Sequence, residues 1–182
     1  MNQDNLLKDL IEGHDDAQRT LLQMYGNRVF SQIARVVRSQ EDAEEVYQDV
    51  FIKVFRSINT YNPAKASLST WLLRIAYHEA LNFTRGKPPR MVSIEDCAHE
   101  ADSCDSQETN LLPSRDEEAV AMVEQAISRL QPNDQALISM YYYEELSTKE
   151  IAYITDSTPT TVASRLFRTR QKLQRIIKEM KQ

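Results

Sequence analysis

The sequence predicts an all-α protein made of two small helical domains joined by a flexible acidic linker. Three observations carry that expectation. Only 3 of the 182 residues are glycine, against an average near 7%, so tight hairpins and glycine-cradled phosphate sites have little to build on. Apolar residues recur at spacings of three and four along most of the chain, the period of a half-buried helix. Between residues 91 and 115 that period disappears and the composition turns to Ser, Asp and Glu, directly after Gly86-Lys87-Pro88-Pro89. Such a stretch cannot bury enough apolar surface to order itself. The chain therefore divides into a domain over 1–90, a linker over 91–115 and a domain over 116–182.

Composition removes other classes. The apolar fraction of 41% suffices for a core, yet no apolar run approaches the ~20 residues that span a bilayer, so no stable membrane insertion is expected. The start, MNQDNLLKDLIEG, lacks a basic stretch followed by an apolar one, which predicts no export signal and a cytoplasmic protein. Two cysteines make no disulfide framework. The net charge of −5 conceals an asymmetry: from Thr160 onward there are seven basic residues and one acidic residue, Glu179. A basic segment of helix length can meet a polyanion even on an acidic protein.

In the first domain, apolar positions from Leu6 to Val37 predict helices. Ser39-Gln40-Glu41-Asp42 then reads as a helix start, with Ser39 as N-cap and acids in the first turn. The helix from about 41 to 58 is expected to bury Ala43, Val46, Tyr47, Val50, Val54 and Ile58. Its opposite face carries Glu41, Glu45, Gln48, Asp49, Ile52 and Arg56. Taken alone, that face reads as a solvated helix start, although Ile52 among the charges points toward a partner surface.

Asn62-Pro63 starts a loop, because the residue before proline is disfavoured in the helical region. A helix follows from about Leu68 to Arg85. Arg74, His78, Asn82 and Arg85 fall within an ~80° arc of it, behind a loop bearing Lys65, Ser67, Ser69 and Thr70. This stripe suits a phosphate backbone and base edges, and it equally suits an idle polar face.

Metal and catalytic patterns fail. His78-Glu79-Ala80-Leu81-Asn82 lacks the second histidine of a zinc-peptidase motif. Cys97, His99 and Cys104 have no defined fourth ligand and fit no common finger spacing. No nucleophile–base or paired-carboxylate set stands out, so neither a cofactor nor enzyme activity is expected.

The second domain is more specific. A helix from Asp116 to Leu130 is expected to end at Gln131-Pro132-Asn133-Asp134, and a second to run from about Asp134 to Tyr143. Ser147-Thr148-Lys149-Glu150 is a capping box opening a short helix. Asp156 can supply a tight turn, since Asp tolerates positive φ better than most residues. Thr158-Pro159 restarts the chain with an N-cap and a proline at the first helical position. Val162, Leu166, Thr169, Leu173 and Ile176 or Ile177 form the inner stripe of a basic helix. A capped helix, a tight turn and a capped basic helix make a helix-turn-helix, whose second helix enters the major groove.

At this point the residues resemble a family over nearly the whole chain. DAEEVYQDVFIKVF (Asp42–Phe55) and STWLLRIAYHEALN (Ser69–Asn82) are similar to region 2 of bacterial sigma factors. LSTKEIA (Leu146–Ala152) and TVASRLFRTRQKL (Thr161–Leu173) are similar to region 4. Two such regions joined by a short linker resemble the extracytoplasmic-function (ECF) subgroup. The resemblance implies a protein that binds core RNA polymerase, directs it to promoter DNA, melts the −10 element and is held by an anti-sigma factor. By similarity, Asp42, Glu45, Gln48, Asp49, Ile52 and Arg56 dock on the polymerase. Tyr61, Asn62, Lys65, Ser67, Ser69, Thr70, Trp71, Arg74, His78 and Asn82 handle the −10 element. Thr160, Thr161, Ala163, Ser164, Arg165, Phe167 and Arg168 meet the −35 element. Three departures stand out: Ala66 where glycine is frequent, Ala163 where a basic residue is usual, and the polar pair Thr155 and Ser157. A helix-turn-helix regulator that works without polymerase would explain residues 116–182 but not the first domain. A protein-only adaptor would leave the basic helix without a role.

Overall fold

The computed structural model describes residues 3–37, 39–86 and 115–181. Apart from Arg115, the expected linker lies outside the described residues, and so do Cys97, His99 and Cys104. Every regular element among the described residues is helical. In chain order these are α1 (Gln3–Ile11), α2 (Asp15–Ala34), α3 (Gln40–Ser57) and α4 (Leu68–Gly86), then α5 (Arg115–Ser128), α6 (Pro132–Ile138), α7 (Thr148–Ile154) and α8 (Pro159–Met180).

In the first domain α2, α3 and α4 pack pairwise, with α1 laid against α2. Leu21, Ile33, Val46, Leu68, Leu72 and Leu73 are fully buried between them. Ser39 caps α3 as expected, its hydroxyl accepting from the Asp42 N–H at 3.4 Å. The buried stripe of α3 differs in one place. Phe51 is buried, whereas Tyr47 is only half-buried. Tyr47 stands between Phe30 and Phe51, with ring centroids 5.8 and 4.9 Å away, so an aromatic ladder closes the seam to α2.

That ladder explains a glycine in mid-helix, where it costs about 1 kcal/mol relative to alanine. A Cβ on Gly26 would lie 2.6 Å from the Tyr47 hydroxyl oxygen. Flanked by two rings, Tyr47 has little room to withdraw, and burial pushes its hydroxyl pKa upward. Overpacking of this kind costs about 1–3 kcal/mol, more than the helix-propensity gain. Gly26→Ala is therefore expected to lower the melting temperature. In a Tyr47→Phe background the same change should raise it, by about 0.5–1 kcal/mol of stability. Equal shifts in the two backgrounds would show that the contact does not decide the effect.

The second domain corrects two expected boundaries. Pro132 opens α6 rather than closing α5, because its missing N–H is one the first helical turn does not use. Buried Gln135 closes α5 instead, its side-chain amide donating to the Ser128 and Leu130 carbonyls, each at 2.9 Å. The helix expected to reach Tyr143 narrows to Ile138 and widens into a π turn over Ser139–Tyr143. This winding turns Met140 into the core and leaves Tyr142 and Tyr143 outside.

The helix-turn-helix has the expected chemistry. Ser147 and Glu150 exchange both capping-box hydrogen bonds at the start of α7. Asp156 takes φ 51° in the turn. Thr158 caps α8 by accepting from the Thr161 N–H, with Pro159 in its first turn. The polar pair in the turn is satisfied locally. The Thr155 hydroxyl donates to the Ile151 carbonyl at 2.8 Å and lies 2.8 Å from the Ser157 hydroxyl. Ile151, Ile154, Val162 and Leu166 are buried in one apolar cluster with Leu137 and Met140.

Candidate nucleic-acid and partner interfaces

On α3, burial of Ala43, Val46, Val50 and Val54 turns the opposite face outward. Glu45, Gln48, Asp49, Ile52 and Arg56 are all exposed on it, and Asp42 is half-buried near the cap. Ile52 keeps 47% of its surface exposed. An apolar side chain ringed by charges, on a helix otherwise well packed, has the character of an interface centre with a polar rim.

The loop before α4 is held by its own polar groups. The Asn62 side-chain oxygen accepts from the Ala64 N–H at 2.9 Å, and the Tyr61 hydroxyl donates to the Ala66 carbonyl at 3.2 Å. Burial, with the Tyr25 and Tyr153 hydroxyls nearby, pushes the Tyr61 pKa up, so it remains a donor. Among the described residues only Glu145 and Asp156 are non-glycine residues with positive φ. Ala66 therefore needs no glycine-like backbone. Ser67 caps α4, accepting from the Thr70 N–H at 3.1 Å. Tyr61 packs on Trp71 with ring centroids 5.6 Å apart, and Trp71 is buried to 8% exposure.

Behind this loop an open cleft of about 580 Å3 gathers Asn62, Lys65, Trp71, Arg74, His78 and Asn82 of the expected set. Tyr61, Ser67, Ser69 and Thr70 are not in its lining. Lys53, Tyr153 and Asp156 join it, although nothing in the sequence pattern pointed to them. The cleft brings cationic and amide groups beside Trp71, with the Asp156 carboxylate among them; cations and amides next to an aromatic ring are groups that can grip a single nucleic-acid strand.

On α8, Val162, Leu166 and Thr169 face inward. Thr160, Thr161, Ala163, Ser164, Phe167 and Arg168 are exposed and Arg165 is half-buried, so all seven expected −35 positions lie on or beside one outer face. Phe167 is 61% exposed. Not every cation of α8 belongs to that face. Arg170 donates to the Tyr142 hydroxyl at 2.7 Å and lies over the Tyr141 ring, and Lys172 donates to Asp134 at 2.6 Å. These two tie α8 to the α6 and π-turn segment instead.

The two domains also touch, along α2 and α4, where one buried apolar cluster runs from the first domain into the second. Arg28 of α2 donates to the Glu144 carboxylate, to the Glu144 carbonyl at 3.1 Å and to the Ser69 hydroxyl at 2.8 Å. Thr70 donates to Glu150 at 3.3 Å. Arg74 donates to Asp156 at 2.7 Å and lies over the Tyr153 ring, 4.9 Å from its centre. His78 Nε2 is 3.2 Å from the second Asp156 oxygen, without the alignment of a hydrogen bond. Buried Gln32 accepts from Ser139 at 2.8 Å while its amide nitrogen has no partner. The Glu150 carboxyl is held below its usual pKa first by the Ser147 hydroxyl and backbone N–H, then by Thr70 and the charge of Arg28.

Known proteins give this arrangement a family. The sigma-70 region 2 pattern matches residues 21–88, and the sigma-70 region 4 pattern matches residues 120–173. The ECF RNA polymerase sigma-E factor of Escherichia coli is 31% identical over 174 residues, which is 91% of this chain and 89% of that protein. The sigma-E factor of Haemophilus influenzae is 29% identical over 184 residues, covering 96% of this chain and 95% of that protein. The sigma factor RpoE of Bartonella quintana, solved in complex with the anti-sigma factor NepR, shares the fold. Its TM-score is 0.64 at 18% identity, covering 88% of this chain and 96% of that one. With both regions present in order and a relative above 30% identity across nine-tenths of the chain, this protein belongs to the extracytoplasmic-function group of the sigma-70 family.

Proposed function

We propose that the chain binds core RNA polymerase and directs it to promoters, with a separate surface for each task. The exposed face of α3, from Asp42 to Arg56, docks on the polymerase. The cleft behind Tyr61–Thr70 takes the melted −10 strand, where Arg74, His78 and Asn82 supply cationic and hydrogen-bonding contacts. A base turned out of the stack is held by such a pocket at the cost of a few kcal/mol of unstacking. The outer face of α8 enters the major groove at the −35 element. The observation that carries this reading is the coexistence, in one chain matching both sigma regions, of an acidic–apolar helix face and two cationic surfaces.

Residues 91–115 serve as the tether between the two DNA-reading domains. Since Arg115 already opens α5, 24 residues remain, whose contour length at ~3.3 Å per residue is at most about 80 Å. Two helical turns of duplex span about 70 Å, so one tether can serve both elements. The protein works in the cytoplasm, where its template is, and an anti-sigma factor is its natural inhibitor. No described helix is long and apolar enough to cross a membrane.

The decisive experiment mixes the purified chain with core polymerase and a supercoiled promoter library. New, sequence-restricted transcription starts are expected. Duplex binding by the chain with no new starts would instead identify a regulator that works without the polymerase.

A further inference from the structure

The turn between α1 and α2 gathers three metal-ligating side chains that the surfaces assigned above do not use. α1 ends at Gly13, whose φ of 82° is a conformation that glycine adopts freely. The His14 N–H donates to the Asp9 carbonyl at 2.9 Å and the Gly13 N–H to the Leu10 carbonyl at 3.2 Å, the paired bonds that fix a helix end. Leu6, Leu10, Ala17 and Leu21 are buried on either side of the turn. This fixed turn brings Asp9, Glu12 and His14 together, with one ligating atom from each within 4.8 Å of the other two. No other three acidic, cysteine or histidine side chains converge so closely among the described residues. His14 also occupies the N-cap of α2 without making a capping hydrogen bond. Ser, Thr, Asp or Asn at that position contributes about 1 kcal/mol, so the helix itself does not call for an imidazole. The His14 Nε2–H donates instead to the Glu12 carboxylate at 3.1 Å.

We propose that Asp9, Glu12 and His14 form a binding site for a divalent transition-metal ion of the zinc type. The ion takes the place of the proton between His14 Nε2 and Glu12, and that proton passes to solvent. An imidazole beside two carboxylates suits zinc or nickel, whereas magnesium and calcium are held by oxygen ligands. Three protein ligands leave the fourth position of a tetrahedral zinc ion to water. Asp15 and Asp16 in the first turn of α2 add negative charge beside the site. Lys8 lies 3.8 Å from Glu12, but both side chains are exposed, and an exposed pair of this kind is displaced at little cost. The ligands come from both sides of Gly13, two before it and one after. A bound ion therefore clamps the end of α1 to the start of α2 and stabilises the docking of α1 on the first domain. Anything that binds the folded chain alone raises its stability in this way.

The test titrates zinc chloride into the full chain carrying Cys97→Ser, His99→Gln and Cys104→Ser, which removes both thiols and one of the three histidines. His14 and His78 remain, and their imidazole proton resonances are assigned from His14→Gln and His78→Gln. Calorimetry is expected to show one equivalent of zinc, with the His14 resonances shifting and those of His78 unmoved. The melting temperature should rise by several degrees at about a hundredfold excess of zinc over its dissociation constant. Magnesium chloride at the same concentration should change neither readout. Loss of a group that merely orients a ligand already costs about 10–100-fold in metal affinity, so Asp9→Asn, Glu12→Gln and His14→Gln should each cost about tenfold or more. His14 makes no capping bond, so His14→Gln should keep the metal-free melting temperature of its parent, which separates lost binding from lost folding. Zinc binding that survives all three substitutions, or that shifts His78 in place of His14, would overturn the site. So would the absence of saturable binding, or magnesium binding as tightly as zinc.

Discussion

Glu45→Lys combined with Asp49→Lys is expected to abolish capture by immobilised core RNA polymerase while leaving the thermal unfolding curve unchanged. Both side chains are exposed on α3, one turn apart, and neither has a described hydrogen bond or ion pair that reversal would break. The fold therefore has little to lose, since surface changes away from structural contacts usually stay within about 0.5 kcal/mol. The interface has much to lose. An acidic face around an apolar centre implies a basic partner surface, and like charges brought together cost several kcal/mol. Two reversals beside Ile52 should weaken binding more than 100-fold. Ile52→Ala should weaken it by an amount typical of a central apolar contact, about 1–2 kcal/mol. Undiminished capture of the double variant would move the polymerase contact off this face.

Why such a surface is legible from sequence, while other parts of the molecule are not, follows from the range of the forces involved. Ser39, the Ser147–Glu150 box, Asp156 and Thr158-Pro159 act within three or four residues, so their residue types declare them, and all adopt the expected conformations. The inward stripe of α8 is equally local: fixing Val162, Leu166 and Thr169 inside leaves Thr161, Ala163, Ser164 and Arg168 outside. The misses are contacts between residues far apart in the chain. Gly26 had no local reason to be glycine until the Tyr47 hydroxyl was seen against it. Tyr47 and Phe51 lie one turn apart on the same face of α3, so the helical period cannot tell which is the more buried; the packing of their rings does. Pro132 by residue type can follow one helix or open the next, and only Gln135 reaching back to Ser128 decides that it opens α6. Arg28 carried no signal at all, since its partner Glu144 is 116 residues away. The division at 91–115 and the fate of Cys97 and Cys104 rest on composition alone.

Arg168→Ala is expected to relax promoter choice at one or two −35 positions, whereas Lys178→Ala should lower affinity evenly for all sequences. Arg168 lies on the outer face of α8, one turn beyond Ser164, and its guanidinium is tethered only at 3.4 Å to the Ser164 carbonyl. From there it can reach a base edge, and a bidentate arginine–guanine pair supplies about 1–3 kcal/mol of discrimination. Lys178 is exposed near the C-terminal end of the helix, and with the start of α8 in the groove it is expected to meet phosphates rather than base edges. Arg170, two residues from Arg168, serves as the internal control. It is bound to Tyr142 and stacked over Tyr141, so Arg170→Ala should lower the melting temperature with little change in sequence preference. Ala163 completes the series. It is exposed on the same face without a cation, and Ala163→Arg should tighten binding and steepen its salt dependence by about one phosphate contact, a change near 0.9 in the log–log slope. Titrations of the four variants against a randomised −35 library at several salt concentrations separate these roles. If Arg168→Ala keeps full discrimination while Arg170→Ala loses it, the groove-facing side of α8 is rotated by two residues from the face assigned here.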